Sequence, residues 1–320
     1  MTEKGKKPIA IYYEHPEWFR PLFAELDKRG IVYEKIDAGE GFYNPSENLN
    51  DKYSLVFNRM SASAYLRNHG NAIFYTRGFL ASLEQKKVRV VNGYDAFQIE
   101  ISKALQCALF DSLGIKYPKT RIINSATQAV TAAHDLQFPI VVKPNIGGRG
   151  AGIVKFDAPE DLSSAVENNQ IDLGIDSTAL VQEFAPKRGG FITRVETLGG
   201  KFLYAIKIYP QEESFNLCPA EVCRIEDQPL NAVGEMCLAD APKTGLKIER
   251  CEPSKEIVET VERIVAAAKI DVGGVEFLID DATGDALFYD INALSNFVAD
   301  PVNLIGFDPH EKLVDFLQTV

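Results

Sequence analysis

Short apolar runs separated by polar and helical stretches predict a small α/β unit at the start of the chain. The runs predicted as strands are PIAIYYE, IVYEKID, SLVFNRM and VRVVNG, and a helical stretch at residues 18–28 lies between the first two. Strands that alternate with helices in this way are typical of a wound parallel sheet. The unit is expected to end at about Asn92.

A four-residue spacing of apolar positions next predicts one helix over residues 95–113, ended by Gly114. Its apolar stripe consists of Phe97, Ile101, Leu105 and Leu109. Lys103 lies two positions from Ile101, about 200° around a helix, so its ammonium should face away from the helix's own core. A single helical lysine is far more often a solvated charge than a ligand contact.

A glycine-rich loop, residues 147–153, follows the apolar strand IVVK and precedes the strand GIVKF. Its four glycines are Gly147, Gly148, Gly150 and Gly152. They allow positive φ and close backbone approach, so amide groups there could wrap an anion. The loop matches neither GxGxxG nor GxxxxGK[ST], and a plain hairpin turn is the simpler interpretation. Lys143 shifts the balance, because a lysine that ends a buried strand must reach an anion or water.

Three further elements complete the pattern before the end of the chain. TALVQEFAP is predicted to be a strand, and residues 192–210 are predicted to form a hairpin across Gly199-Gly200. On it, Arg194 and Lys207 could face either a cleft or solvent. Pro253-Ser254 begins a predicted helix. Its apolar face consists of Ile257, Val261, Ile264, Val265 and Ala268.

The stretch VEFLIDDATGDALFYDIN, residues 275–292, is predicted to be an acidic hairpin with a five-residue polar loop. Symmetry about Thr283 pairs Glu276 with Asp290. Alternation then places Asp290 and Asn292 on one face, and it places Leu287, Tyr289 and Ile291 on the other. Opposed acids about 5 Å apart destabilise a sheet unless a cation lies between them. A magnesium site and a solvated acidic patch are equally consistent with the hairpin alone.

Composition excludes several classes of function. The chain has 320 residues, of which 46% are hydrophobic and 25% charged, and its net charge of −11 argues against a general nucleic-acid or membrane-surface binder. No apolar run approaches a membrane span, and the first ten residues lack a secretory signal, so the sequence predicts a cytoplasmic protein. The five cysteines lack CxxC spacing and the four histidines form no HxxxH pair, which favours buried thiols and argues against a zinc enzyme.

The order of these features resembles the ATP-grasp superfamily, and within it the carboxylate-amine ligases similar to ribosomal-protein glutamate ligases and the carrier-protein ligases of lysine biosynthesis. The resemblance covers residues 92–301. It implies an α/β fold of the α+β ATP-grasp type, with a pre-ATP-grasp domain at 1–93 and an ATP-grasp domain at 94–320. A lid subdomain would occupy about 116–185.

The resemblance also implies roles for individual residues. The phosphate-contacting lysines would be Lys103 and Lys143, and the closing loop would be Gly147, Gly148, Arg149, Gly150 and Gly152 with their neighbours up to Ile153. The adenine-binding strand end would be Gln182, Glu183 and Phe184. Arg194 would act near the transferring phosphate, and Lys207 and Asn216 would contact phosphate and substrate. The magnesium ligands would be Glu276, Asp290 and Asn292.

The implied activity is ATP-dependent amide or peptide bond formation through an acyl phosphate. ATP and Mg²⁺ are the expected cofactors, with two metal ions and Mn²⁺ as an alternative metal. The partners would be a carboxylate and an amine on an amino acid, peptide or protein tail, with no nucleic acid or membrane, and homo-oligomers are expected from the family. Arg59 and Arg77 could bind a carboxylate, although surface arginines are commoner. Two alternatives stay open: a kinase that phosphorylates a hydroxyl, and a non-catalytic nucleotide-binding protein.

Three departures from the family pattern bear on substrate class. Ile192 stands where the glutamate ligases place an aspartate for the ribose. The first two metal ligands have exchanged lengths, with Glu276 for aspartate and Asp290 for glutamate. After Asn292 the chain reads Ala-Leu-Ser-Asn, where the family often has Pro-Gly.

Overall fold

The computed structural model describes residues 7–210 and 247–320. The first sheet, called the amino-terminal sheet, contains the strands β1 (Ile9–Tyr13), β2 (Tyr33–Asp37), β3 (Leu55–Arg59) and β4 (Val90–Val91). All its pairings are parallel, in the order β2-β1-β3-β4. The helices α1 (Arg20–Lys28) and α2 (Gly70–Gln85) connect its strands. The predicted wound parallel sheet is therefore confirmed.

The predicted single helix over residues 95–113 is wrong. The structure has two helices there, α3 (Tyr94–Glu100) and α4 (Lys103–Ser112), with a break at Ile101 and Ser102. The Ser102 hydroxyl caps α4 by accepting a hydrogen bond from the Leu105 amide. Serine favours caps because its side chain competes for backbone groups, and this local preference outweighs the four-residue apolar spacing.

The second sheet, called the lid sheet, is antiparallel in the order β5-β8-β6-β7. Its strands are β5 (Thr120–Ile123), β6 (Ile140–Pro144), β7 (Val154–Phe156) and β8 (Ala179–Glu183). The helices α5 (Ala129–Ala132) and α6 (Pro159–Glu167) cover one face and form a separate apolar core with it. This sheet falls within the predicted lid region, whose boundaries stay a prediction.

The third sheet, called the central sheet, is antiparallel in the order β11-β10-β9-β12-β13. Its strands are β9 (Ile192–Leu198), β10 (Lys201–Tyr209), β11 (Lys247–Cys251), β12 (Val272–Ile279) and β13 (Ala286–Asn292). The predicted hairpin turns at Gly199 and Gly200 between β9 and β10, and both glycines have positive φ.

The two faces of the central sheet pack against different elements. One face, with Val195, Ala205 and Val275, contacts α4 and α7 (Lys255–Ala267), the helix predicted from Pro253-Ser254. The other face, with Ile192 and Ile206, packs toward the amino-terminal sheet. The chain closes with α8 (Pro301–Ile305) and α9 (Pro309–Leu317), and α9 packs on α1. No helix in the described ranges is long and apolar enough to cross a membrane.

Candidate active site

The lid sheet and the central sheet face each other across a cavity of about 240 Å³. Both sheets, the glycine loop and the end of the amino-terminal sheet contribute to its walls. The sequence-predicted residues on these walls are Lys103, Lys143, Gly147, Gly148, Arg149, Gly150, Gln182, Glu183, Phe184, Arg194, Glu276, Asp290 and Asn292. Residues that lie up to 190 positions apart in the sequence thus meet in one cleft.

The acidic hairpin has the predicted pairing at its functional end. Glu276 on β12 lies opposite Asp290 on β13, and Gly274 lies opposite Asn292. The Asn292 Nδ2 donates to Asp290 Oδ2 at 3.4 Å, so these two side chains are on the same side. The three oxygen-bearing side chains therefore converge on the cleft.

A β-bulge corrects the prediction for the rest of the hairpin. Glu276 pairs with Asp290 but Phe277 pairs with Phe288, which leaves Tyr289 as an extra residue on β13. Tyr289 was expected on the face opposite Asp290, yet it lines the cleft and its hydroxyl donates to Glu276 Oε2 at 3.0 Å. Period-two alternation cannot predict this reversal, because one inserted residue changes the face of its neighbours.

Glu276 is buried among charged groups. Its Oε1 accepts from Arg194 Nη1 at 3.2 Å, and Arg194 Nε donates to Glu196 at 2.6 Å. Burial raises the pKa of Glu276 to about 7, because desolvation and the neighbouring Asp290 charge together outweigh the opposing effect of Arg194. An additional cation nearby would stabilise the ionised form of this carboxylate.

Lys103, the first residue of α4, reaches across to β13. Its Nζ lies 2.5 Å from Asp290 Oδ1, and only 14% of its side chain is exposed. Burial lowers the pKa of Lys103, but the charge and hydrogen bond of Asp290 outweigh that effect and raise the pKa overall. The solvated helical lysine considered from the sequence is therefore wrong.

Lys143 is the penultimate residue of β6 and is 6% exposed. Burial, followed by repulsion from Lys103, lowers the pKa of Lys143 to about 8. Within residues 7–210 and 247–320, no carboxylate lies within ion-pair distance of its Nζ. A buried ammonium without an anion is costly, so this position favours binding of a negatively charged ligand.

The glycine loop closes toward the amino-terminal sheet. Gly150 and Gly152 have positive φ, whereas Gly147 and Gly148 do not, so the loop uses only part of the predicted glycine freedom. A Cβ on Gly148 would lie 2.9 Å from the Ser63 Cβ. The Arg149 guanidinium lies 5.3 Å from the Trp18 ring centre, which places the loop against the segment between β1 and α1.

The end of β8 contributes a polar and aromatic wall. Gln182 Nε2 donates to Thr120 Oγ1 at 2.7 Å, and Glu183 Oε1 accepts from the Gln137 amide at 2.9 Å. The Phe184 ring lies 5.2 Å from the Lys187 ammonium. Ile192 also lines the cleft and is almost fully buried, so no carboxylate is present at that position.

Three predicted residues are not part of the cleft as described, and one of them, Gly152, faces Pro144 instead. Lys207 pairs with Thr193 on β9, whereas Arg194 pairs with Ile206, so Lys207 and Arg194 point to opposite faces of the central sheet. The Lys207 ammonium instead lies 4.4 Å from the Phe191 ring centre. Asn216 lies outside the described residues, as do Cys218, Cys223 and Cys237. The other two cysteines, Cys107 and Cys251, are free thiols.

The two candidate carboxylate-binding arginines have different environments. Arg77 is exposed on α2. Arg59, at the end of β3, is 3% exposed and lies between the rings of Phe19 and Phe57, each about 5.0 Å away. Its Nη2 donates to the Ser295 carbonyl and to Asn296 Oδ1, so it holds the segment that follows β13. The surface interpretation is wrong for Arg59.

Sequence reasoning missed several residues on the cleft wall. They are Trp18, Ser61, Ser63, Glu100, Tyr289 and Asn296. Glu100 is partly buried and accepts from the Ala293 and Leu294 amides at 2.6 and 3.2 Å, thereby fixing the backbone after Asn292. The sequence carries one usable signal, which is that Ser61 and Ser63 directly follow a buried parallel strand, where ligand-contacting residues collect.

The donor chemistry fits a hard divalent cation. Two carboxylates and one amide converge, and Lys103 and Arg194 already balance part of their charge. In the described part of the chain, no group of three or more His, Cys, Asp or Glu could hold a metal by itself. Magnesium usually takes few protein ligands and completes its shell with water and substrate phosphates, so this small set is sufficient.

Comparisons with known proteins agree with this geometry. Residues 101–219 match the model of the RimK-like ATP-grasp domain. The chain is 30% identical over 203 residues to a D-alanine–D-alanine ligase of Haemophilus influenzae, covering 62% of each chain. It is 26% identical over 223 residues to a probable alpha-L-glutamate ligase of Teredinibacter turnerae, covering 65% of this chain and 73% of the relative.

Solved structures extend the likeness to nearly the whole chain. A RimK domain ATP-grasp protein from Sphaerobacter thermophilus has a TM-score of 0.67 at 15% identity, covering 97% of this chain and 98% of the other. The D-alanine–D-alanine ligase of Bacillus anthracis, complexed with ATP, has a TM-score of 0.61 at 16% identity, covering 98% and 97%. At such identities the likeness shows the fold. The chain therefore contains a RimK-like ATP-grasp domain at residues 101–219, and its fold is similar to that of ATP-grasp ligases over nearly its whole length.

Proposed function

We propose that this protein is an ATP- and Mg²⁺-dependent ligase that joins a carboxylate to an amine through an acyl phosphate. One observation carries the proposal. Two buried lysines, Lys103 and Lys143, share a cleft with Arg194 and with an oxygen cluster formed by Glu276, Asp290 and Asn292. Cationic side chains next to oxygen ligands suited to a metal are what a triphosphate with its metal requires.

The cationic side chains would bind and orient the phosphates. Lys143 lacks a carboxylate partner among the described residues, and a phosphate oxygen would supply it with an anionic partner. Lys103 and Arg194 are already paired with acids, so they would share their charge between those acids and the ligand. In-line phosphoryl transfer needs little covalent assistance but strong charge stabilisation, which these groups supply.

The oxygen cluster would hold magnesium, with two ions expected and Mn²⁺ as an alternative. When bound, the metal neutralises phosphate charge and orients the phosphates for attack. Tyr289 and Arg194 fix the two oxygens of Glu276, so the carboxylate is held in place before the metal arrives.

The reaction forms two bonds in succession. A carboxylate oxygen of the substrate attacks the γ-phosphorus, the bond to the β-phosphate oxygen breaks, and ADP leaves. The amine nitrogen then attacks the acyl carbon, phosphate departs with the bonding electron pair, and the amine loses its proton. Closure of the glycine loop against Trp18 and Ser63 would exclude water that otherwise hydrolyses the acyl phosphate.

The named relatives support the class of reaction but not the substrates. One is a D-alanine–D-alanine ligase and another a probable alpha-L-glutamate ligase, and an ATP-grasp ligase with 98% coverage of this chain is titled as complexed with a minimal precursor. For this protein we expect the acid and the amine among amino acids, peptides or protein tails, which is the range that the family resemblance implies.

An ADP-release screen over pairs of amino acids and small carboxylates tests the proposal. We expect ADP release that requires Mg²⁺ and both partners, and a product whose mass equals acid plus amine minus water. Asp290→Asn should lower the rate at least about 100-fold, because it removes a charged ligand while keeping the shape of the side chain.

Other products would contradict the proposal. A stable phosphorylated hydroxyl compound would identify a kinase. Nucleotide binding with no turnover of any pair, unchanged in Asp290→Asn, would favour a non-catalytic protein. Thermal denaturation of the variant, compared with the parent, confirms that any loss of rate does not arise from unfolding.

A further inference from the structure

Asn145 connects the strand that carries Lys143 with the helix that carries Lys103. It follows β6 and is 6% exposed. It is absent from the cleft wall, because its side chain turns toward the first turn of α4. A strand of the lid sheet and a helix packed on the central sheet, each with one cleft lysine, therefore meet at a single asparagine.

Every polar group of Asn145 is used. Its carbonyl accepts from the Lys103 amide at 3.3 Å, and its Oδ1 accepts from the Ala104 amide at 2.8 Å and the Ser102 hydroxyl at 3.1 Å. Its own amide donates to the Thr178 carbonyl at 2.9 Å, and its Nδ2 donates to Asp176 Oδ2 at 2.6 Å. Backbone amides can only donate, so the orientation of the side-chain amide is fixed by its partners.

These bonds complete the start of α4. The first amides of a helix have no partner within the helix, and Asn145 satisfies two of them, on Lys103 and Ala104. The Asp176 and Thr178 bonds anchor the same residue inside the lid. Asn145 thus fixes the first turn of α4 relative to the end of β6.

A contact of this kind is needed because the two lysines repel each other. The charge of Lys103 is the second largest cause, after burial, of the lowered pKa of Lys143. Two buried ammonium groups separate unless other bonds hold their backbones together. Displacements of about 1 Å at a binding site are costly, since hydrogen bonds to phosphate weaken steeply with distance.

We propose that Asn145 is a positioning residue that holds Lys103 and Lys143 at the separation needed to grip one nucleotide triphosphate. The inference rests on the proposed function, since it assumes that both lysines bind phosphate. According to this proposal, Asn145 contributes to nucleotide affinity although it lies outside the cleft.

Calorimetric titration with the magnesium complex of AMPPNP, an ATP analogue that resists hydrolysis, tests this role. Asn145→Ala should weaken binding at least about tenfold, because the Ala104 amide and the Ser102 hydroxyl lose their shared side-chain acceptor and the first turn of α4, which carries Lys103, is loosened. Asn58→Ala is the matched control. Asn58 is also a buried asparagine, with bonds to the Asn92 carbonyl and the Met60 amide, but it lies away from the lysines. It should lower the melting temperature and leave the dissociation constant within about twofold.

A pair exchange distinguishes positioning from folding. In Asn145→Asp combined with Asp176→Asn, the acceptor for Ala104 remains, the bond between the two side chains is kept with donor and acceptor reversed, and net charge is unchanged. We expect the exchange to restore affinity to within about threefold of the parent. If the alanine variant does not fold, the affinity of the exchanged protein for Mg–AMPPNP tests the positioning role by itself.

The outcomes separate the two levels of inference. A parent protein that does not bind the analogue overturns the proposed function. A parent that binds, with Asn145→Ala binding equally well despite a lower melting temperature, overturns only the positioning role. An exchanged protein that folds but binds at least tenfold more weakly also overturns it.

Discussion

At the scale of single residues, the cleft is defined by charged side chains that burial removes from water and places beside groups of the same charge. Lys143 is buried beside another lysine, and Glu276 is buried beside another acid. In the protein without ligand, each of these arrangements disfavours the charged form of the side chain. A bound group of opposite charge stabilises that form. The free protein is therefore arranged for an anionic ligand that brings its own cations.

Lys143 should take up a proton when nucleotide binds. Its pKa of about 8 in the free protein means that half of the molecules lack the proton at pH 8, and a phosphate nearby raises that pKa. The charged or titratable groups near the Lys143 ammonium are Lys103, Asp290, Cys107 and Glu276. Titration with Mg–AMPPNP at pH 8, in buffers of different ionisation enthalpy, should show uptake of about half a proton. Affinity should fall as pH rises above about 8.

Lys143→Arg is the control for that measurement, because arginine keeps the positive charge but does not titrate near pH 8. Its proton uptake should be lower than that of the parent by the full half proton. Equal uptake in the two proteins would assign the proton to another group.

At this scale the sequence predicted which residue types line the cleft better than it predicted how buried each residue is or which way it faces. The order of the residue types, through the family resemblance, predicted Lys103, Lys143 and the three oxygen-bearing side chains of the acidic hairpin, and the structure brings these five residues into one cleft. Their roles as phosphate and metal ligands stay predictions. Arg59 could not be placed, because its burial depends on partners far away in the sequence, the Phe19 ring and the Ser295 carbonyl, which nothing around Arg59 indicates. Lys207 was misplaced because alternation along a strand does not tell which face meets the cleft until the neighbouring strand is known.

At the scale of elements, local irregularities place the functional groups. The break between α3 and α4 makes Lys103 the first residue of a helix, and the bulge at Tyr289 turns an aromatic hydroxyl toward Glu276. Both irregularities interrupt a regular period, so a reading based on regular periods misses them. The strands themselves, which depend on short apolar runs, were largely predicted.

The glycine loop should be sensitive to substitution at Gly152 and tolerant at Gly147. Gly152 has a φ of +73°, and an added Cβ would lie 2.8 Å from Pro144 Cγ, whereas at Gly147 the nearest atom would be 3.6 Å away. A side chain in the left-handed region costs about 1–2 kcal/mol before any clash. Gly152→Ala should therefore raise the rate of tryptic cleavage after Arg149 about tenfold, measured without nucleotide.

Gly147→Ala is the matched control and should be cleaved at nearly the parent rate. If both variants were cleaved equally fast, the loop conformation in the free protein would not depend on the positive φ at Gly152. Proteolysis is the appropriate measurement because strain in a surface loop opens the loop without unfolding the domain.

At the scale of the whole molecule, the cleft depends on how the amino-terminal sheet is attached to the central sheet. Asn92, just after β4, makes this attachment. Its Oδ1 accepts from the Asp271 and Val272 amides at 2.9 and 3.0 Å, and its Nδ2 donates to the Val272 and Ala293 carbonyls. The sequence predicted a boundary near this residue but not the attachment, because these partners lie about 180 to 200 positions away.

Replacing Asn92 should therefore cost much more than an ordinary asparagine substitution. Asn92→Ala leaves two buried amides and two buried carbonyls without partners and keeps a φ of +53°, so we expect a loss of about 3–5 kcal/mol in the free energy of unfolding. Asn68→Ala is the control, because exposed Asn68 shares the left-handed conformation, with φ of +65°, and should lose only about 1 kcal/mol. Urea denaturation of both variants measures the difference. Equal losses would mean that the conformational cost alone acts at Asn92, and that the two sheets are held together by their apolar contacts.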